Sequence, residues 1–201
     1  MFADRAAAAS ALAGRLAAYR GKKDVIIAGV PPAGAIVGAL AAIELDLPFG
    51  CSGVYKVPVA TRPDATLAVI AMDGEVTLDP RSKLTRHEVR KLGASTLARL
   101  HTDLERCRNG ATEPDFQGAE VIVVEQLALS ALVVRAAAAC VRRHGASRIV
   151  LAAPVMRAVG QAEAGGAFDE VIALEVSRVD GDAGRLFADH AFPGEEEMLA
   201  T

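Results

Sequence analysis

Glu120-Val-Ile-Val-Val124, Arg148-Ile-Val-Leu-Ala152 and Glu170-Val-Ile-Ala-Leu174 decide the fold. Each is a charged residue followed by four aliphatic ones, short for a helix and apolar on both faces of a strand. Between them lie an Ala-rich stretch over about 130–144, closed by His144-Gly145, and a second stretch around 157–165 that reads as helix. Short apolar strands alternating with helices predict a mostly parallel α/β sheet flanked by helices on both faces. The same signature opens the chain: Val25-Ile-Ile-Ala-Gly-Val30 reads as a buried strand, and the residues after Pro32 as a helix to about Asp46. Ligands of such sheets collect at the carboxyl ends of the strands, which directs attention to the turns after Val30, Met72, Val124 and Ala152.

Outward from this frame, Leu12, Leu16 and Tyr19 keep helical spacing, so residues about 4–20 should form an amphipathic helix that Gly21 ends. Gly53 to Val59 and Thr66 to Met72 read as strands, the second joined through Asp73-Gly74 to Glu75-Val-Thr-Leu78. Asp-Gly between apolar runs predicts a hairpin lobe with positive φ at both turn residues. Thr85-x-x-Glu88 is the pattern of a capping box, opening a long helix along Leu97, Leu100, Leu104 and Cys107. No linker and no repeat interrupts the chain. The expectation is one domain over 1–201, with its core at about 24–175 and the N-terminal helix and the tail 176–201 packed on it.

Composition narrows the function. The chain has 201 residues, a net charge of -3 and no block of Lys/Arg, which argues against binding nucleic-acid backbones. Aromatic residues make up 4% and Trp is absent, so no surface for stacking bases is expected. Cys51, Cys107 and Cys140 form no C-x-x-C pair, so neither a disulfide framework nor a zinc signature is present, and a reducing cytoplasm is the natural setting. His87, His101, His144 and His190 show no mutual metal-ligand spacing, and solvated or capping roles are expected for them. The charge-free run Val25–Ile43 is divided by Pro31-Pro32 and by Gly29 and Gly34, so no membrane span is expected.

Two turns carry the candidate chemistry. Gly29-Val-Pro-Pro-Ala-Gly34 has neither the G-x-G-x-x-G spacing of a dinucleotide fingerprint nor the Lys-Ser/Thr of a Walker A loop. Glu125-Gln-Leu-Ala-Leu-Ser-Ala-Leu-Val-Val134 stands where many α/β proteins hold an anion on helix N-terminal N–H groups. Convergent N–H groups want glycines, and this turn has none and carries three leucines. Ser130 is placed to cap the following helix.

The order of these segments resembles the type I phosphoribosyltransferase family, in its bacterial branch. The resemblance runs from Phe2-Ala-Asp-Arg5 through the Pro-rich turn, the Val-x-Lys56 strand, Pro63-Asp64, Leu67-Ala-Val-Ile-Ala, the long charged helix and the 125–134 turn to Phe187-Ala-Asp189. It implies a phosphoribosyltransferase-like fold with a small hood lobe, and a site for phosphoribosyl pyrophosphate (PRPP) with Mg2+. In that family the turn after the strand at 121–124 begins with two acids, followed by a Gly- and Thr-rich loop that holds the ribose and 5-phosphate. Here Glu125 and Gln126 take the acids' places. Leu127 takes a glycine's place, Ser130 a threonine's, Ala131 a second glycine's and Val133 the last threonine's. The pyrophosphate loop, usually Pro-Arg-Gly-Gly, falls on Pro31, Pro32, Ala33 and Gly34. Lys56 is kept, while Tyr55 replaces the arginine usually before it.

The resemblance thus implies Glu125 as the catalytic carboxylate and a substrate-binding set of Lys56, Gly34, Ala33, Gln126, Leu127, Ala128, Leu129, Ser130 and Ala131. No metal ligand is assigned among them. Each lost charge-assisted hydrogen bond costs about 1.5–3 kcal/mol, so three losses exceed about a thousandfold in affinity. Two readings follow. One is a phosphoribosyltransferase-like protein that has lost efficient PRPP binding and serves as a small-molecule-binding or regulatory module, with a homodimer expected. The other is an active transferase passing ribosyl 5-phosphate from PRPP to a nucleobase or another nucleophile. At least one of Leu127, Leu129 and Leu132 is expected over the strand ends, closing the old pocket against Pro31-Pro32.

Overall fold

The computed structural model describes residues 2–57, 66–108, 114–128, 130–157 and 166–177. In chain order the elements are α1 (Arg5–Arg15), β1 (Val25–Gly29), α2 (Ala33–Leu45), β2 (Phe49–Cys51), β3 (Val54–Lys56), β4 (Ala68–Ala71), β5 (Val76–Leu78), α3 (Arg86–Arg108), β6 (Glu120–Val124), β7 (Leu127–Ala128), α4 (Ala131–Arg143), β8 (Arg148–Arg157) and β9 (Glu170–Ser177). The N-terminal helix ends earlier than its spacing suggested, and a 3-10 turn at Ala17–Tyr19 carries the remainder. Of the expected helix around 157–165, Arg157 is strand, and 158–165 lie outside the described residues, as do Leu129 and the tail from 178.

The main sheet runs β2-β1-β6-β8, with β7 and β9 both paired to β8 and every pairing parallel. All four strands expected to share a sheet do so. Alternate residues face opposite sides, as a doubly covered sheet requires. Val25, Ile27, Ile122, Val124, Val150 and Ala152 pack under α1 and α2. Ile26, Ala28, Val121, Val123, Ile149 and Leu151 pack against α4 and against Val54, Val69 and Ala71 of a second sheet.

That second sheet, β3-β4-β5, is antiparallel and forms the small lobe. Its other face, with Tyr55, Ile70 and Val76, receives Val89 and Leu97 of α3. The capping box opens α3 as expected: Glu88 N–H donates to Thr85 Oγ1 at 3.2 Å, and Thr85 N–H donates to Glu88 Oε2 at 2.7 Å. The hairpin also forms, with a different turn. Only Gly74 has positive φ, at 79°, while Gly74 N–H donates to Ala71 O and Ala71 N–H to Glu75 O. The loop is therefore three residues, Met72 to Gly74, with one glycine in the left-handed region, and Asp73 keeps an ordinary conformation. Asp73 instead accepts from Arg143 of α4 at 2.7 Å, tying the lobe to the main layer.

The strands β6 and β7 are one interrupted line. β6 pairs Val124 with Ala152 and β7 pairs Leu127 with Val155, so the register is unbroken across Glu125–Gln126. The interruption lies opposite Ala153-Pro154, where Glu125 N–H donates to Ala152 O at 3.2 Å and Pro154 has no N–H to return to the ladder. Both strands change face there in step. Leu151 and Ala153 face α4, yet Val155 faces Ala8 of α1 and Met156 returns to the α4 side.

Gly29 closes β1 where α2 begins, and a Cβ on it would stand 2.5 Å from Ala35 Cα and 2.8 Å from Gly34 O. Gly29→Ala should therefore destabilise by about 1–3 kcal/mol in urea unfolding. Gly14→Ala, at an exposed helical position with nothing within 4 Å of the added carbon, should stabilise by about 0.5–1 kcal/mol.

Candidate functional site

The parallel sheet brings the turn after β1 and the turn after β6 to the same edge. Val30 N–H donates to Val124 O at 2.8 Å. A Cβ at Gly34 would stand 2.6 Å from that oxygen, 3.0 Å from Glu125 Cα and 3.4 Å from Gln126 N. Gly34 thus lies directly on the backbone of the second turn. Pro31 and Pro32 precede it through a cis peptide bond, and Ala33 is partly exposed at the start of α2. Of the expected set, Gly34, Glu125, the Gln126 backbone and Lys56 come together.

Glu125 is buried, and its carboxyl accepts from the backbone N–H groups of Leu127 and Gln126. Burial pushes its pKa up to about 7, although the positive charge of Lys56 and the two N–H groups pull the other way. Lys56 acts on this carboxyl from the small lobe, at the exposed end of β3. Around neutral pH the site therefore offers a carboxyl that exchanges a proton in the field of the Lys56 charge.

Gln126 is buried and accepts from Arg5 Nε at 3.1 Å, while Arg5 itself is buried on α1. No local pattern singles out Arg5 in the sequence, because 121 positions divide the pair. Ser52 was missed as well. It follows β2 at this edge, its N–H donates to Gly29 O, and its buried Oγ has no hydrogen-bond partner among the described residues.

The rest of the second turn departs from an anion cradle. Leu127 and Ala128 form β7, and neither has positive φ. Leu127 packs against Ala8 and Val155 on the α1 side, as does Phe2. Ala128 is buried under α4, and Leu132 packs on that same layer. These two leucines are thus divided between the faces of the sheet, Leu127 by its place in β7 and Leu132 by its place on α4. Ser130 is the N-cap of α4, but its side chain makes no capping hydrogen bond, contrary to expectation. Its carbonyl instead accepts from Val133 and Val134 N–H, with Ala131 at the first helical position and partly exposed.

No protein-family model matches the chain. Two Mycobacterium tuberculosis proteins, from strains H37Rv and CDC 1551, are each named "Putative phosphoribosyl transferase" and are 28% identical over 204 aligned positions covering this whole chain. The chain spans 46% of the length of those relatives. Among solved structures, the protein TT1426 from Thermus thermophilus superposes with a TM-score of 0.75 and 25% identity, over 99% of this chain and 96% of that one. The chain is thus similar along its whole length to proteins named as putative phosphoribosyl transferases, and it shares the fold of TT1426. Among the described residues no helix is long and apolar enough to cross a membrane.

Two outcomes follow from the site. Raising a carboxyl from 4.5 to about 7 corresponds to about 3 kcal/mol. Below about pH 4.5 both folded and unfolded states hold the proton and no penalty exists. Between about pH 4.5 and 7 the unfolded state ionises first, so stability falls as pH rises, and above about pH 7 the whole penalty stands. Glu125→Gln should thus stabilise by about 1–3 kcal/mol at about pH 8 and have little effect at about pH 4.5, as read by denaturant unfolding. Leu127→Ala should cost about 1–2 kcal/mol, less than a fully buried leucine, because its packing on Ala8 and Val155 is partial.

Proposed function

We propose that the chain is a phosphoribosyltransferase-like module that binds a small molecule at the carboxyl edge of its sheet and has lost efficient use of PRPP. The observation carrying this reading is β7. Where the resemblance places a glycine-rich phosphate loop, the backbone is extended and paired to β8, with Leu127 seated on the α1 layer. Extended backbone paired in a ladder directs successive N–H groups apart, whereas a phosphate cradle needs them convergent. Gln126 in an acid's place, held by Arg5, supports the same reading, since a neutral amide supplies no negative charge to a ribose-bound Mg2+. The proposed ligand contacts are Glu125, Lys56 and the backbone around Gly34, which suit a ligand carrying both a hydrogen-bond donor and a single negative charge.

One observation favours the alternative, an active PRPP-dependent transferase. Glu125 has a pKa of about 7 and lies in the field of Lys56, which suits proton transfer to or from a nucleophile beside an anion.

Thermal unfolding with PRPP and Mg2+ separates the two. A ligand at about a hundred times its Kd stabilises the native state by about 2.7 kcal/mol, or roughly 5–10 °C for a chain of this size. The expected shift is below about 1 °C, with no pyrophosphate released in the presence of common purine and pyrimidine bases. Steady pyrophosphate release that disappears in Glu125→Ala would establish the transferase and refute the module.

A further inference from the structure

Away from the strand ends, the tip of the β4–β5 hairpin meets the carboxyl end of α4. Asp73 comes from the hairpin loop, while Cys140 lies in the last turn of α4 and His144, its C-cap, follows one turn later. One ligand atom from each of the three lies within 4.8 Å of the others. Cys140 Sγ is 3.9 Å from His144 Nδ1. Across a tetrahedral zinc ion with ordinary bond lengths, sulfur and nitrogen stand about 3.5 Å apart, so a small inward movement brings this pair to coordination distance.

We propose that Asp73, Cys140 and His144 form a Zn2+ site, with water as the fourth ligand, that links the small lobe to α4. The donor set of carboxylate, thiolate and imidazole selects a borderline-soft divalent ion over Mg2+ or Ca2+, which take oxygen ligands. Cys140 is buried and outside any disulfide, while Asp73 and His144 are exposed and leave the ion a way in. The carboxyl end of a helix also favours a cation. On binding, the thiol releases its proton to solvent, and the three ligands bring two negative charges to the ion.

Existing contacts define what the ion must displace. His144 Nδ1 is 2.8 Å from the Cys140 carbonyl, so the ring either gives up that contact or turns Nε2 inward. Asp73 Oδ2 accepts from Arg143 Nε at 2.9 Å and from its terminal nitrogen at 2.7 Å, and Asp73 Oδ1 accepts from Glu75 N–H at 3.1 Å. Arg143 is therefore the competing cation, partly exposed and able to swing into solvent. The consequence reaches the strand ends, because the lobe that carries Lys56 and the helix that follows Glu125 are the two bodies joined.

The sequence offered a signal that pairwise reading of histidines passes over. Cys-x-x-x-His on a helix places both donors on one face, and the third ligand is contributed from 67 positions before Cys140.

The test titrates the metal-free full chain with Zn2+ against a chromophoric chelator, and with Co2+ as a spectroscopic probe. One ion per chain is expected, with a thiolate-to-cobalt charge-transfer band. Asp73→Asn, at an exposed position, should weaken Zn2+ binding at least about tenfold, as should His144→Ala, since even outer partners of metal ligands cause losses of this size. Cys140→Ser should abolish the charge-transfer band. Arg143→Ala should act in the opposite direction and tighten binding, which mere loss of folding would not do. Absence of stoichiometric binding overturns the proposal. So does binding that survives Asp73→Asn and His144→Ala with its spectrum unchanged.

Discussion

A single carbonyl oxygen, that of Val124, organises the edge of the sheet. It accepts the Val30 N–H at 2.8 Å, and it leaves no room for a side chain at Gly34, whose Cβ would stand 2.6 Å away. The parallel register that sets β1 beside β6 brings the two turns level, and these two contacts hold them face to face. Everything at the candidate site inherits its position from that seam. Glu125 follows Val124 directly, α2 starts from Gly34's turn, and Ser52 is hydrogen-bonded to Gly29 one strand further on. A larger residue at Gly34 would move backbone against backbone, where no rotamer change can relieve the clash.

Beyond the seam, the second turn holds buried polar groups that the fold must satisfy. Glu125 has two backbone N–H groups and the nearby Lys56 charge, and Gln126 has the Arg5 guanidinium. A buried charge without partners would cost several kcal/mol, and Glu125 lessens that cost by holding its proton up to about neutral pH. The leucine at 127 works in the other direction. Placed in a strand rather than at a left-handed position, it escapes the roughly 1–3 kcal/mol strain that a non-glycine residue would otherwise bear. It gains apolar contact with Ala8 and Val155 instead. Residues 127 and 128 thus follow an extended backbone path paired to β8.

Much of this was legible beforehand. The apolar runs read as strands are legible because a strand buried on both faces must be apolar throughout, and all four fall into one sheet. The capping box at Thr85 and Glu88 is a local pattern with a local cause, and it forms as read. The hairpin was legible in place but not in turn type, since Asp73 finds its partner in Arg143, 70 positions away. The continuation of β8 through Pro154 was hidden because proline ordinarily argues against a central strand. Here its missing N–H falls opposite Glu125, where the partner line is interrupted. The resemblance to the phosphoribosyltransferase family singled out Glu125 and Lys56 as candidates. It could not supply Arg5 against Gln126, because that contact depends on how α1 lies across the sheet.

The change of face at Pro154 connects the fold to the chemistry. Had both strands kept a simple alternation past Ala153, Val155 and Leu127 would have pointed toward α4, and Met156 and Ala128 toward α1. The inversion instead directs Leu127 into the α1 layer beside Phe2, while Ala128 leaves space for α4 to start immediately beyond it. Both effects draw the second turn down onto the sheet. An extended segment opposite a proline commits its backbone to the ladder, and Glu125 is left in the interruption itself, its carboxyl held by the N–H groups of Gln126 and Leu127.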